Sequence, residues 1–266
     1  MFPVAVSTGS RATIGGMTGN NSCGARSIRY GTMRDNVCAL EAIFIDGSRH
    51  HFGLSSRSNE SNRFNRQLLD IGDKYADEVA RRFPEVQRRV GGYNIDALVR
   101  SPNGTNNLAH LLVGSEGTLA YSERIQLHLS NIPSHKVLGV CHFPTFYAAM
   151  DSTQHIVKLG PAAVELVDRT MIDLARDIPI FAPTVNRFVQ GEPQALLLVE
   201  FAGADRAEQL QSLQQLVELM GDLGFPNAVV EATDHEFQHA VWEVRKSGLN
   251  IMMSMKGDGK PVSCIE

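Results

Sequence analysis

Residues 11–36, RATIGGMTGNNSCGARSIRYGTMRDN, set the first constraint on the fold. Gly15, Gly16, Gly19 and Gly24 stand among Asn20, Asn21, Asn36 and several Ser and Thr, and Arg26, Arg29 and Arg34 follow at short intervals. Glycine loses the most backbone entropy on ordering, and asparagine competes with regular ladders through its own amide. The composition therefore predicts an irregular segment with neither helix nor strand. Small residues this closely spaced let backbone approach a ligand and offer N–H groups to anionic oxygens. A plain surface loop is the competing reading, slightly favoured by composition alone.

The rest of the chain narrows the class. At 266 residues it suits one large domain or two ordinary ones. A net charge of -4 without any basic run argues against nucleic acid as a partner. The longest apolar runs, ALLLVEFA and VLGVCHF, are too short to span a bilayer. MFPVAVSTGS lacks the charged and apolar regions of a signal peptide. Cys23, Cys38, Cys141 and Cys264 form no CxxC pair, which argues against a zinc ribbon, an iron–sulfur cluster within these residues and a disulfide framework. They read as small buried hydrophobes in a reducing, cytoplasmic setting.

Periodicity supplies the elements. VCALEAIFIDGSRHHF is a strand, an Asp46-Gly47 turn and a second strand. LSSRSNESN is a polar loop. In RFNRQLLDIGDKYADEVARRF, Phe64, Leu68, Ile71, Tyr75, Val79 and Phe83 recur at helical spacing and predict one buried helix face. The glycine-rich VGGYNIDALVRSPNGTNN leads to an apolar run broken at GSEGT, then to the strand RIQLHL. NIPSH, at residues 131–135, marks a boundary. Beyond it KVLGVCHF, TFYAAMDSTQHIVKL and AAVELV read as strand, helix and strand, followed by a short helix from Asp168 and an irregular proline-rich stretch. ALLLVEFA, RAEQLQSLQQLVELMGDLG and NAVVEA repeat the pattern, with Asp205 and Glu208 placed for a capping box and Gly224 for a C-cap. This order is the split β-α-β of a ferredoxin-like layer. A last helix, DHEFQHAVWEVRKSG, follows.

Three motifs compete for the chemistry. The opening glycines do not spell G-x-G-x-x-G after a strand, so no Rossmann site is supported. SMKGDGKP is not a P-loop, because Ser254 replaces the first glycine and Pro261 the hydroxyl residue that would reach magnesium. HEFQH offers His235 and His239 as zinc ligands one helical turn apart, with Glu236 as general base. Trp242 stands where a metzincin needs glycine, and no third histidine follows, which leaves the terminal Glu266 as the remaining ligand. The plainer reading puts these histidines in solvent and turns Phe237, Val241 and Val244 inward.

The string ATIGGMTGNNSCGARSIRYGTMRDNVCALEAIFIDG, followed in order by GGYNIDAL, LLVGSEGTLAYSERIQL and VWEVRKSGLN, resembles the FAD-linked oxidase family. That family includes D-lactate dehydrogenase, the glycolate oxidase FAD subunit and D-2-hydroxyglutarate dehydrogenase. The resemblance spans nearly the whole chain and is nearest to long bacterial members that carry an iron–sulfur region further along. It implies an α+β fold. Residues 1–132 form the C-terminal part of a PCMH-type FAD-binding domain with a helical insertion at about 60–90, and residues 133–266 a ferredoxin-like cap domain, truncated at its end. By position, Thr13, Gly15, Gly16, Asn20, Asn21, Gly24, Tyr30 and Gly31 would line FAD, with Glu116 and Gly117 beside it. Arg245 matches the arginine that grips the substrate carboxylate, and Lys256 or Lys260 is a second anchor. No metal ligand is assigned. Ala120, Tyr121, Ser122 and Glu123 depart from the family pattern of Gly, a β-branched pair and Thr.

The resemblance implies oxidation of a D-2-hydroxy acid to the 2-oxo acid by FAD, in the cytoplasm or at the periphery of a membrane, with the electron acceptor and oligomeric state open. The first phosphate-binding glycine loop is expected before residue 1, and the metal-binding histidines and catalytic base after residue 266. On that expectation the chain alone binds FAD weakly or not at all. The rival readings are a zinc hydrolase built on HEFQH and a non-catalytic cap fragment.

Overall fold

A computed structural model describes residues 1–56, 61–86 and 88–253. The chain divides into two compact units, Met1–Asn131 and Ile132–Glu266.

The opening stretch of the first unit corrects the composition-based expectation, because it contains three short helices: α1 (Ile14–Gly19), α2 (Ser27–Tyr30) and α3 (Met33–Asn36). A single turn needs only a cap and one or two backbone bonds, so glycine and asparagine do not forbid it. Thr13 caps α1, and Thr32 with Asp35 forms a capping box on α3. Buried Met17 and Met33 anchor the first and third turns.

β1 (Val37–Ile43) and β2 (Arg49–Phe52) form the expected antiparallel hairpin, in register from Leu40↔Phe52 to Ile43↔Arg49. β3 (Leu54–Ser56) pairs with β4 (Thr105–Asn107), where the sequence predicts a loop. Three-residue strands are too short to show alternation. The predicted single helix is two, α4 (Arg63–Lys74) and α5 (Ala76–Arg82), parted at Tyr75. Its buried face is also shifted: Leu69 and Gly72 face inward while Ile71 and Tyr75 stay exposed. A Cβ at Gly72 would run into the Leu98 carbonyl, so this glycine lets α4 settle directly on the 3-10 turn Ile95–Leu98. α6 (Ala109–Leu112) precedes β5 (Tyr121–Leu127), which pairs with the free side of β1. Met17, Met33, Leu40, Phe52, Leu69, Leu98, Leu108 and Val113 share one core.

The second unit is regular. β6 (His135–Phe143), β7 (Ala163–Asp168), β8 (Ala195–Gly203) and β9 (Val229–Ala232) form one sheet in the order β7-β8-β6-β9, every neighbouring pair antiparallel. α7 (Phe146–Ile156) links β6 to β7 and α10 (Arg206–Asp222) links β8 to β9, giving the split β-α-β topology. Val137, Cys141, Leu197 and Val199 pack against Ile156, Leu213, Leu216 and Met220 of these helices. Leu138, Val140, Leu196 and Leu198 point the other way, onto α8 (Arg169–Arg176), α9 (Ala182–Phe188), α11 (His235–Lys246) and α12 (Gly248–Met253). α9 lies in the stretch expected to be irregular. Pro183 falls in its first turn, where the missing N–H costs no intrahelical bond.

Candidate functional site

Two glycine segments of the first unit meet. Thr13 accepts the Gly16 N–H on its side chain (3.0 Å) and the Met17 N–H on its carbonyl (2.9 Å), so the chain turns sharply at the start of α1. At its other end, the Gly114 N–H donates to Thr18 O and the Glu116 N–H to Gly19 O, both at 2.9 Å. These bonds join α1 to the turn Ser115–Thr118, which is closed by the Thr118 N–H on Ser115 O. Glu116 (φ 51°) and Gly117 (φ 76°) both take left-handed backbone there. A non-glycine in that region is held by its surroundings at some cost, a pattern that collects at ligand sites. Tyr93 bonds Thr118 Oγ1 at 2.8 Å and steadies the turn.

The residues assigned by resemblance separate into two groups. Thr13, Gly15, Gly16, Asn20, Glu116 and Gly117 are exposed along this junction. Beyond the adjoining chain itself, nothing stands within 4 Å of where a side chain would begin at Gly15 or Gly117, so an incoming group could lie directly on either backbone. Asn21, Gly24, Tyr30 and Gly31 instead hold the frame. Asn21 is fully buried in left-handed backbone, its Oδ1 accepting the Arg34 N–H at 2.9 Å. Gly24 is pressed against the Ala5 carbonyl, leaving no room for a Cβ. Gly31 (φ 72°) makes way for the Asp35 carboxylate of the capping box, and Tyr30 offers its carbonyl to Asn36 Nδ2 at 2.8 Å. A glycine count cannot tell these two duties apart.

Sequence reading missed the charges beneath the junction. Asp96 takes Arg34 on Oδ2 and Arg89 on Oδ1, each at 2.7 Å. Burial opposes ionisation of Asp96, yet the two guanidinium groups hold its carboxyl below the ordinary range. Arg34 also donates to Asn94 Oδ1 (3.2 Å), and Asn94 Nδ2 donates to Val113 O (2.8 Å) and His110 O (3.2 Å). Burial, aided by the charge of Arg34, pushes His110 below its usual pKa. Partners 62 residues apart leave no local signal.

In the second unit Arg245, in the last turn of α11, pairs with Glu165 of β7 at 2.6 Å. Lys256 and Lys260 lie outside the described residues. The HEFQH stretch opens α11: His235, Glu236 and His239 are exposed, while Phe237, Val241 and Val244 are buried. His239 faces Glu243 at 3.8 Å, and no group of three potential metal ligands occurs among the described residues. Glu266, the remaining ligand in the zinc reading, lies outside them.

Residues 132–266 match the C-terminal domain of FAD linked oxidases, and residues 1–53 match the FAD binding domain. The chain belongs to the FAD-linked oxidases. Its relatives include the D-2-hydroxyglutarate dehydrogenase of Haemophilus influenzae, 24% identical over 290 residues covering 100% of this chain and 28% of that protein. The probable mitochondrial D-lactate dehydrogenase of Danio rerio is 27% identical over 268 residues, 98% of this chain and 43% of that one. The chain thus spans less than half the length of either. An alkyldihydroxyacetonephosphate synthase shares the fold, with a TM-score of 0.57 at 15% identity over 94% of this chain and 39% of its own.

FAD suits the residues present. The open backbone at Gly15 and Gly117 and the amide of Asn20 are donors of the kind a diphosphate requires. No described helix is long and apolar enough to cross a membrane.

Proposed function

We propose that this protein takes part in oxidising a D-2-hydroxy acid to the corresponding 2-oxo acid. The observation that carries the reading is the junction of α1 with the Ser115–Thr118 turn, which presents two open glycines in a family whose relatives bear the names of 2-hydroxy acid dehydrogenases. FAD, when bound, would supply the two-electron acceptor for the hydride that leaves Cα, while the hydroxyl proton would pass to a general base that none of the described residues is assigned to be.

The chain's own residues bind and orient. The N–H groups at the very start of α1, up to Gly15, and that of Gly117 would meet the anionic oxygens of the cofactor. Arg245 receives the substrate carboxylate: Glu165 engages Nη2, and Nη1 carries two further N–H donors. A fork restrained in this way fixes the direction of the Cα–H bond, which is where orientation lowers the barrier. Lys256 and Lys260 are offered as second anchors. Cys38 and Cys141, which form no disulfide, support a reducing, cytoplasmic setting.

The test is Arg245→Ala in the purified protein, assayed with D-lactate, glycolate and D-2-hydroxyglutarate against a dye acceptor. The expected result is a rise in KM of about tenfold or more for whichever acid is turned over. Unchanged kinetics with every acid would remove Arg245 from the site.

A further inference from the structure

The charged group beneath the junction belongs to no assigned site, and its contacts run in one direction. Asp96 draws together Arg34 from α3 and Arg89 from the segment after α5. Arg34 then reaches both halves of the junction. Its backbone N–H holds Asn21, the left-handed residue that ends the α1 segment, and its guanidinium holds Asn94. Asn94 in turn holds Val113 O, immediately before Gly114, whose own N–H bonds Thr18. Asn21 also points its amide at Arg89 O. The loop is therefore closed: Asn21, Arg34, Asn94, Val113, Gly114, Thr18 and back to Asn21 along the chain.

We infer that Arg34 and Asp96 are positioning residues for the flavin site, fastening the Ser115–Thr118 turn to the α1 segment so that the open glycines on both keep one fixed spacing. This rests on the flavin reading above. The physical reason is that neither segment has a ladder of its own to hold it. Among the described residues only two backbone bonds join them, Gly114 N–H to Thr18 O and Glu116 N–H to Gly19 O. Ion pairs with exposures of 17–25% are screened far less than surface pairs, and the Arg34 fork adds direction to charge. Without the fork, Asn94 loses its Arg34 partner while Asn21 keeps only the backbone N–H of Arg34, and the turn can drift. Binding a rigid diphosphate would then have to include the cost of ordering it.

The experiment compares wild type with Asp96→Asn, Arg34→Gln and Arg34→Lys, using Arg124→Gln, which breaks an exposed pair with Glu41, as the control. Amide hydrogen exchange of the whole chain is read at Gly114 and Glu116, and FAD is titrated by flavin fluorescence. Asp96→Asn should speed exchange at these two amides about tenfold and weaken FAD by a similar factor, with β6 and β8 amides unaltered. Arg34→Lys, keeping charge without the fork, should fall between wild type and Arg34→Gln. Exchange that is unchanged at Gly114 and Glu116, or raised equally throughout the chain, overturns the inference, as does unaltered FAD affinity when wild type binds FAD. Local loosening in a chain whose wild type takes up no FAD would leave the fastening in place and match the weak binding expected of this chain alone; the flavin reading would fall if no 2-hydroxy acid were oxidised either.

Discussion

The two units solve the same problem, satisfying buried backbone, by different means. In the second, four antiparallel strands pair throughout, and alternate residues of β6 and β8 enter two separate cores. In the first, helices of four to six residues and strands of three leave many carbonyls without a ladder partner. Side-chain amides take over. Asn36 bonds Tyr30 O and Thr32 O, Asn94 bonds His110 O and Val113 O, Asn106 bonds Ala97 O and Val99 O, and Asn107 bonds Val37 O and Cys38 O. The difference teaches that a region built to expose backbone to a ligand cannot spend that backbone on a sheet, and must be held by side chains instead.

The comparison can be broken most forcefully at a core leucine. Leu198→Ala on β8 should cost the second unit about 2–5 kcal/mol, since the surrounding sheet and helices cannot collapse onto the space. Denaturant unfolding followed by Trp242, the single tryptophan and confined to that unit, measures it. Exchange in the first unit should not move. Next, Asn94→Ala should cost the first unit about 1–3 kcal/mol by orphaning buried carbonyls, with the Trp242 transition unchanged. If both variants shifted both units equally, the two-regime account would fail.

Acid should separate the units more subtly. His110 in the first and His142 in the second are both held neutral by burial; His142 Nε2 accepts the Gln190 N–H while its Nδ1–H faces Val140 O and Ala228 O. Their folded pKa values lie below 6.5, so the unfolded chain binds protons first and both units lose stability as pH falls through 6.5 toward the folded values. Asp96 adds a second phase to the first unit alone. Its folded pKa lies below 3.8, so its contribution is present above that value and is lost as pH falls through the folded one. Asp96→Asn should erase that acid limb in exchange-monitored unfolding. The smallest effect is Arg124→Ala, under about 0.5 kcal/mol, because its pair with Glu41 lies in solvent.

How much was legible follows the same division. KVLGVCHF and ALLLVEFA are continuous apolar runs, and such runs announce strands covered on both faces; Asp205 does cap α10 by accepting from Ala207 and Glu208. The inward turn of Phe237, Val241 and Val244 also followed from spacing alone. The first unit resisted because its signals are not periodic. Three-residue strands cannot alternate, and the Gly72 contact with Leu98 shifted the α4 face away from the plain apolar repeat. GSEGT was readable as a turn, but nothing local tied it to Asn21 or to Arg34. Glycine density does not separate open backbone, as at Gly15 and Gly117, from close packing, as at Gly24 and Gly31.

The paired bonds of Asn36, Asn94, Asn106 and Asn107 carry a consequence for how the molecule ages. Deamidation replaces an –NH2 by an oxygen and turns a double donor into an anion facing two carbonyls. Asparagine is among the residues that heat destroys chemically. Long storage should therefore erode the first unit by slow hydrolysis of a few amides, while the second, whose strands hold one another, outlasts it.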